Sequence, residues 1–140
     1  MERRLTTILS ADVVGYSRLM EQDEAGTLEA LQSLRKDVIR PKEQQYHGRT
    51  VKLMGDGALM EFASVVDAVT FAADVQMILR EASQEVPEAR RIVFRIGINI
   101  GDIIVEDNDI YGDGVNVAAR LEGICEPGGI CISSHWARSR

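Results

Sequence analysis

The sequence has little cysteine and no long apolar run. The two thiols, Cys125 and Cys131, fit neither a zinc knuckle nor a secreted disulfide framework, so we expect buried, reduced thiols and a cytoplasmic protein. No stretch reaches the roughly 18 consecutive apolar residues of a membrane helix, so we expect no membrane segment in this chain. The opening MERRLTTILS also lacks the apolar core of a signal peptide.

Concentrated positive charge is absent as well. The net charge is −6 and no Lys/Arg-rich run occurs, which argues against binding to a nucleic acid backbone. A small nucleotide is not excluded, because local groups and metal ions can hold a small anion. With 140 residues, 45% of them hydrophobic and 27% charged, the chain predicts one globular domain with a core of its own.

The first half of the chain predicts a strand, a helix and a hairpin. Leu5 to Val14 is rich in Thr, Ile and Val, as is typical of a strand. A helical pattern begins at about Asp23, and Pro41 breaks or restarts it. The segment HGRTVKLMGDGALMEF then predicts two strands around a Gly-Asp-Gly turn.

The second half predicts a helix, two strands, a further helix and a last strand. Ser64 begins a helix, with Asp67 completing a short form of the capping box. The alternation in RIVFRIGINIGDIIV predicts a strand that turns at Gly101-Asp102 into a second strand through Val105. The acidic segment EDNDIYGDG is predicted as a loop that leads to a helix from about Val115 to Cys125, and ICIS begins a last strand. We therefore predict an α+β fold with a ferredoxin-like β-α-β-β-α-β core sheet and helices on one face.

Two aspartates are candidate metal ligands. Asp12 ends the first predicted strand and Asp56 lies in the hairpin turn, so a ferredoxin-like sheet could bring both to one end. Two carboxylates that face one space without a local cation favour a divalent metal, and backbone N–H groups from Val13 to Tyr16 could hold a phosphate. Taken singly, each aspartate is more simply explained as a capping or turn residue.

Three further polar residues have open interpretations. Lys52 is either a solvated edge lysine or a donor to a ligand, and spacing does not decide between them. Asn116 and Arg120 lie one helical turn apart, beside an apolar stripe of Val117, Leu121, Ile124 and Cys125. An amide and a guanidinium together can clamp an anion, but a helical Arg more often pairs with a neighbour, here Glu122, or with solvent.

Four motifs in order give the chain a family resemblance. They are ADVVGYS, KLMGDG, FRIGINIGD and DIYGDGVNVAARLE. Together they resemble the catalytic domain of class III adenylate and guanylate cyclases, of the bacterial adenylate cyclase kind, from about Leu5 to Ser133. The resemblance implies conversion of ATP to cyclic AMP and pyrophosphate.

The resemblance also assigns roles. Asp12 and Asp56 match the aspartates that hold two Mg²⁺ or Mn²⁺ ions. Lys52 matches the lysine that reads the purine, and Asp109 matches its partner at the adenine amino group, which implies ATP rather than GTP. The Asn of VNVAARLE, Asn116, matches the residue that orients the ribose.

In the same helix, Arg120 matches the arginine that stabilises the transition-state phosphate. Family members place each site between two domains packed head to tail, one giving the aspartates and the other giving the remaining groups. A single chain with both sets implies a homodimer with two equivalent sites. Lys52 and Asp56 would then never serve the same ATP.

The chain also departs from the family pattern. The resemblance implies that residues 1–140 form a cyclase catalytic domain that lacks the family's C-terminal strands, and with them the lysine that reaches the triphosphate. Further domains could lie beyond Arg140. Asp102 stands where some relatives carry a phosphate-contacting arginine.

The alternatives are an inactive cyclase-fold fragment used for dimerisation or regulation, a cyclic-dinucleotide synthase, and a plain ferredoxin-like binding module. A GGDEF-type hairpin would favour the synthase, and MGDGAL does not match it.

Overall fold

A six-stranded sheet organises the molecule in the computed structural model, which describes residues 2–133. The strands are β1 (Glu2–Val13), β2 (Gly48–Met54), β3 (Gly57–Phe62), β4 (Phe94–Glu106), β5 (Asp109–Tyr111) and β6 (Ile130–Ile132). The main order is β2-β3-β1-β4-β5, antiparallel throughout, and β6 runs parallel to the first half of β4. The order β2-β3-β1-β4 is that of a ferredoxin-like core, so the predicted α+β class is confirmed. The predicted absence of C-terminal strands concerns residues after Ser133, outside the described range.

The predicted turn at Gly101-Asp102 is wrong. β4 continues through both residues, because β1 stays paired with it from one end to the other: Val13 pairs with Phe94, and Glu2 pairs with Val105. The chain reverses only at Asp107 and Asn108, which both adopt positive φ. The second strand is therefore β5, which lies in the stretch that the sequence predicted as a loop.

The helices follow the predicted starts and add one element. They are α1 (Tyr16–Gln22), α2 (Glu24–Leu34), α3 (Arg40–Gln45), α4 (Val65–Ser83) and α5 (Asp113–Ile124). The side chains of Asp23 and Ser64 cap α2 and α4, accepting hydrogen bonds from the Gly26 and Asp67 N–H groups respectively. A π-helical segment, Arg35–Ile39, joins α2 to α3, so the helix is restarted near the predicted proline rather than broken. The short α1 and a 3-10 turn at Glu88–Arg90 were not predicted.

Helices pack on both faces of the sheet. Leu9 of β1 and Ile96 of β4 lie in one core with Phe71 of α4, whereas Ile8 lies in a second core with Ala118 of α5. Because neighbouring strand residues point to opposite faces, α5 covers the face opposite α4. The prediction that the helices share one face therefore fails for α5.

The second core also shows how strongly the sheet curls. Val51 of β2 and Ile110 of β5 both belong to it, although these strands lie at opposite ends of the main strand order. Burial of each large side chain contributes roughly 1.5–3 kcal/mol, so this core holds the curl in place. Within residues 2–133, no helix combines the length and the apolar character needed to cross a membrane. Cys125 is buried and Cys131 is half-buried.

Candidate active site

The structure brings Asp12 and Asp56 together at one end of the sheet. Asp12 lies near the end of β1, opposite Gly57 of β3 and Arg95 of β4. The Val13 N–H donates to the Asp56 carbonyl oxygen at 2.7 Å and fixes the hairpin turn beside that end. Burial and then the negative charge of Asp56 raise the pKa of Asp12, as expected for two carboxyl groups that face one space.

The donor set fits a divalent cation. Asp12 Oδ1 is buried and has no hydrogen-bond partner, which leaves a carboxylate oxygen free for a positive ligand. Carboxylate oxygens are the ligands that Mg²⁺ and Mn²⁺ prefer, and Mg²⁺ takes one or two of them together with waters and substrate phosphates. Within residues 2–133, no group of three or more His, Cys, Asp or Glu residues is arranged to enclose an ion, so waters and substrate phosphates would complete the coordination.

A third carboxyl group, Glu122 of α5, lies beside this pair. Its pKa is raised to about 7, first by burial, then by the charge of Asp12 and by a hydrogen bond with Asp12, while Arg95 opposes the shift. Arg95 of β4 pairs with Asp12 of the neighbouring strand β1, and its Nε atom is buried without a hydrogen-bond partner.

Sequence reasoning considered Glu122 only as a partner for Arg120. Ala118, one helical turn before Glu122 on the same face of α5, is fully buried. A small apolar residue at that spacing is the sequence signal that could have placed Glu122 on the face toward the sheet.

Part of the predicted phosphate cradle is already occupied by backbone groups. The Val13 N–H donates to Asp56, and the Val14 N–H donates to the Val93 carbonyl oxygen at 2.8 Å. These two donors hold the hairpin and the start of β4 against β1. They are therefore structural, and the prediction that they face a phosphate is wrong.

Lys52 and Asp109 meet although 57 residues separate them in sequence. Lys52 Nζ lies 3.5 Å from Asp109 Oδ2, with the two side chains 51% and 23% exposed. Asp109 Oδ1 accepts a hydrogen bond from the Ile110 N–H at 2.8 Å. This backbone bond, and then the Lys52 charge, lower the pKa of Asp109. The pair is thus a carboxylate held by a backbone N–H beside a half-exposed ammonium, open to a ligand with both a donor and an acceptor.

Asn116 and Arg120 are both exposed on α5. Glu122 faces Asp12 and Arg95, so the alternative that it pairs with Arg120 is not supported. The predicted apolar stripe is partly wrong, because Ile124 is 77% exposed, whereas the residues buried in α5 are the small Gly114 and Ala118.

Small residues bring α5 very close to β4. Asn99 Nδ2 donates to the Gly114 carbonyl oxygen at 3.0 Å, a buried bond between sheet and helix. A Cβ built on Gly101 would lie 2.8 Å from the Gly114 Cα, so glycine at 101 serves this approach rather than a turn. Asn116 and Arg120 therefore project from a helix whose position is tightly fixed.

The chain matches the family model described as "Adenylate and Guanylate cyclase catalytic domain" over residues 2–139. The chain belongs to this family of cyclase catalytic domains.

Named relatives support this membership. The cyclase domain is 52% identical over 133 residues to "Putative adenylate cyclase 3" of Rhizobium meliloti (strain 1021), covering 95% of the chain and 23% of that protein. It is 31% identical over 144 residues to "Adenylate cyclase" of Streptomyces coelicolor, covering 98% of the chain and 34% of that protein. It therefore spans about a quarter to a third of the length of these curated relatives.

Solved structures agree in fold. The adenylate/guanylate cyclase/hydrolase from Silicibacter pomeroyi superposes with a TM-score of 0.90 at 47% identity, over 99% of this cyclase domain and 80% of that chain. The guanylyl cyclase Cya2 superposes with a TM-score of 0.82 at 25% identity, over 99% and 79% of the two chains. Neighbours named for either purine share this fold, so the fold alone does not indicate which purine is bound.

Proposed function

We propose that this cyclase domain is an adenylate cyclase, which converts ATP to 3′,5′-cyclic AMP and pyrophosphate. The contact between Lys52 and Asp109 carries the proposal. Adenine presents an amino donor beside a ring-nitrogen acceptor, which complements a carboxylate next to an ammonium. Guanine presents a carbonyl oxygen in place of that amino group, and the carboxylate of Asp109 would repel it.

The other assigned residues suit the reacting end of the nucleotide. Asp12 and Asp56 would hold two Mg²⁺ or Mn²⁺ ions. When bound, these ions supply Lewis-acid activation of the ribose 3′-hydroxyl and neutralise triphosphate charge. Asn116 orients the ribose by hydrogen bonding, which aligns its 3′-oxygen with the α-phosphorus. Arg120 donates to the phosphate oxygens as negative charge builds during attack, and pyrophosphate then leaves.

The placement of these groups supports a head-to-tail homodimer. Asp109 lies opposite Glu106 at the end of β4, whereas Arg95, opposite Asp12, lies near its start. The metal carboxylates and the purine-reading pair are thus held at different parts of one protomer. Asn116 and Arg120 point outward, and Ile124 adds exposed apolar surface on the same helix. A two-fold dimer would bring each set against the complementary set of its partner.

Two mutants test both the activity and the shared site. Wild-type chain with ATP and Mn²⁺ should form cyclic AMP, and homodimers of Lys52→Ala or of Asp56→Ala should fall to background. Mixed in equal amounts, the mutants should regain about a quarter of wild-type activity, because half of the dimers then contain one intact site of two. If all residues of a site came from one protomer, mixing would restore nothing.

Three outcomes would contradict parts of the proposal. Preference for GTP would overturn the roles of Lys52 and Asp109. Cyclic product from neither this chain nor a form extended beyond Arg140 would refute the activity and favour a dimerisation or regulatory domain. A strict monomer in sedimentation, at concentrations where product forms, would refute the shared site.

A further inference from the structure

Tyr111 is an exposed aromatic side chain to which the proposed function gives no role. It is 49% exposed, whereas Ile110, its neighbour in β5, is 2% exposed and packs in the second core. Because successive side chains of a strand alternate between its two faces, Asp109 and Tyr111 both point away from that core. β5 thus presents a carboxylate and an aromatic ring on the same side, two residues apart.

The strand that carries these two side chains is held in place by its neighbours. Asp109 pairs with Glu106 and Tyr111 pairs with Ile104, in the antiparallel contact between β5 and β4. From β2, Lys52 Nζ approaches Asp109 Oδ2 at 3.5 Å. Side chains two positions apart on a strand start about 7 Å from each other, so the Tyr111 ring begins beside the contact between Lys52 and Asp109.

A purine has two kinds of surface, and Lys52 and Asp109 address only one of them. The carboxylate and the ammonium can hydrogen-bond to the edge of the base. The faces of the base gain instead from stacking on an aromatic side chain, which strengthens binding whatever the base is. Tyr111 offers such a ring next to the two groups that face the edge.

We propose that Tyr111 is a stacking residue, which covers one face of the purine while Lys52 and Asp109 read its edge. The inference rests on the proposed function and deepens it, since it concerns the same nucleotide. Because every purine has a face that can stack, Tyr111 sets how tightly the base is held and does not select between bases. The selection stays with Lys52 and Asp109.

Three variants separate the ring from its bulk and from its hydroxyl group. Tyr111→Phe keeps the ring and removes the hydroxyl. Tyr111→Leu keeps an apolar side chain without a ring, and it should remain folded because the side chain is half-exposed and the buried Ile110 is unchanged. Met77→Ala is the matched control for loss of exposed apolar surface, since Met77 of α4 is 50% exposed. Circular dichroism verifies the fold of each variant.

The readout is calorimetric titration in the presence of Mn²⁺. The ligands are 3′-deoxy-ATP and 3′-deoxy-GTP, which lack the reacting hydroxyl, and inorganic tripolyphosphate, which lacks the base. We expect Tyr111→Leu to weaken binding of both nucleotides by the same factor, roughly 5- to 30-fold, and to leave tripolyphosphate binding within about two-fold of wild type. Tyr111→Phe and Met77→Ala should bind all three ligands within about two-fold of wild type.

The two proposals fail in different ways. Unchanged nucleotide affinity in Tyr111→Leu, or an equal loss of affinity for tripolyphosphate, would overturn the stacking role. Sedimentation that shows Tyr111→Leu dissociated, where wild type is a dimer, would assign the residue to packing between protomers and overturn it as well. Wild-type chain that binds 3′-deoxy-ATP with the expected dependence on Tyr111, but forms no cyclic AMP from ATP, would refute the proposed activity alone. Wild-type chain that binds neither nucleotide would contradict both.

Discussion

Replacing Gly97 with alanine tests the closest contact between α5 and the sheet. An ideal Cβ at this position would lie 2.4 Å from the Ala118 carbonyl oxygen and 2.4 Å from the Glu122 backbone N. Both atoms belong to the helix backbone, so no side-chain rotation can relieve the overlap. Ordinary contact begins at 3.4 Å, so α5 must move away by about 1 Å.

The energetic cost follows from this displacement. Overpacking of a well-packed core costs about 1–3 kcal/mol, and a clash between backbones belongs at the upper end, so we expect a loss of about 2–4 kcal/mol. For a domain of this size that lowers Tm by roughly 6–14 °C. Because α5 carries Asn116 and Arg120, a shift of about 1 Å should also lower cyclase activity by about 100-fold.

The assay is urea and thermal unfolding followed by circular dichroism, with Gly123→Ala as the matched control. Gly123 lies in α5, and a Cβ there would meet nothing within 4 Å. Alanine at that position should stabilise the domain by about 0.5–1 kcal/mol through helix propensity alone. The packing argument would be refuted if Gly97→Ala kept the stability and activity of wild type. Equal changes in stability in Gly97→Ala and Gly123→Ala would refute it as well.

Two other predictions concern groups away from the site. Burial raises the pKa of Glu61, but hydrogen bonds from Arg4 and Arg49 at 2.7–2.9 Å outweigh it and hold the pKa below 4.5. Glu61→Gln should therefore lower the free energy of unfolding by about 1–3 kcal/mol at pH 7, measured by urea titration. This loss should shrink as pH falls below about 4.5, because the wild-type carboxylate is then protonated, and a loss that does not change with pH would contradict the prediction. Ser64→Ala removes the N-cap of α4, in which the Asp67 N–H donates to the Ser64 hydroxyl oxygen. This change should lower the free energy of unfolding by about 1 kcal/mol in the same measurement, and no loss would mean that the cap does not stabilise the domain.

Local patterns predicted most of the fold. Strand-type composition located β1 and alternation located β4, while helical spacing located α2 and the capping signal at Ser64 located α4. The end of β4 was misplaced because glycine at 101 has two possible uses. A turn needs its conformational freedom, whereas β4 uses its lack of a side chain, and only the neighbouring helix distinguishes the two.

The candidate site was predictable only in part, for a similar reason. Motif spacing selected Asp12 and Asp56, and the structure brings them together, while their roles as metal ligands stay a prediction. The motifs also selected Lys52 and Asp109, whose contact depends on the curl of the whole sheet. Glu122 was missed because its importance comes from the partner across the helix–sheet contact, which no local period encodes.

The contact between Lys52 and Asp109 has a consequence for aggregation. β2 and β5 are the two outermost strands of the main sheet order, and such strands expose unpaired N–H and C=O groups to other chains. The curl brings these two edges together, and the ion pair joins them across the α5 face. The two side chains that we assign to purine recognition thus lie where the edges approach each other. We expect this approach of β2 and β5, rather than one exposed ion pair, to hinder edge-to-edge association there.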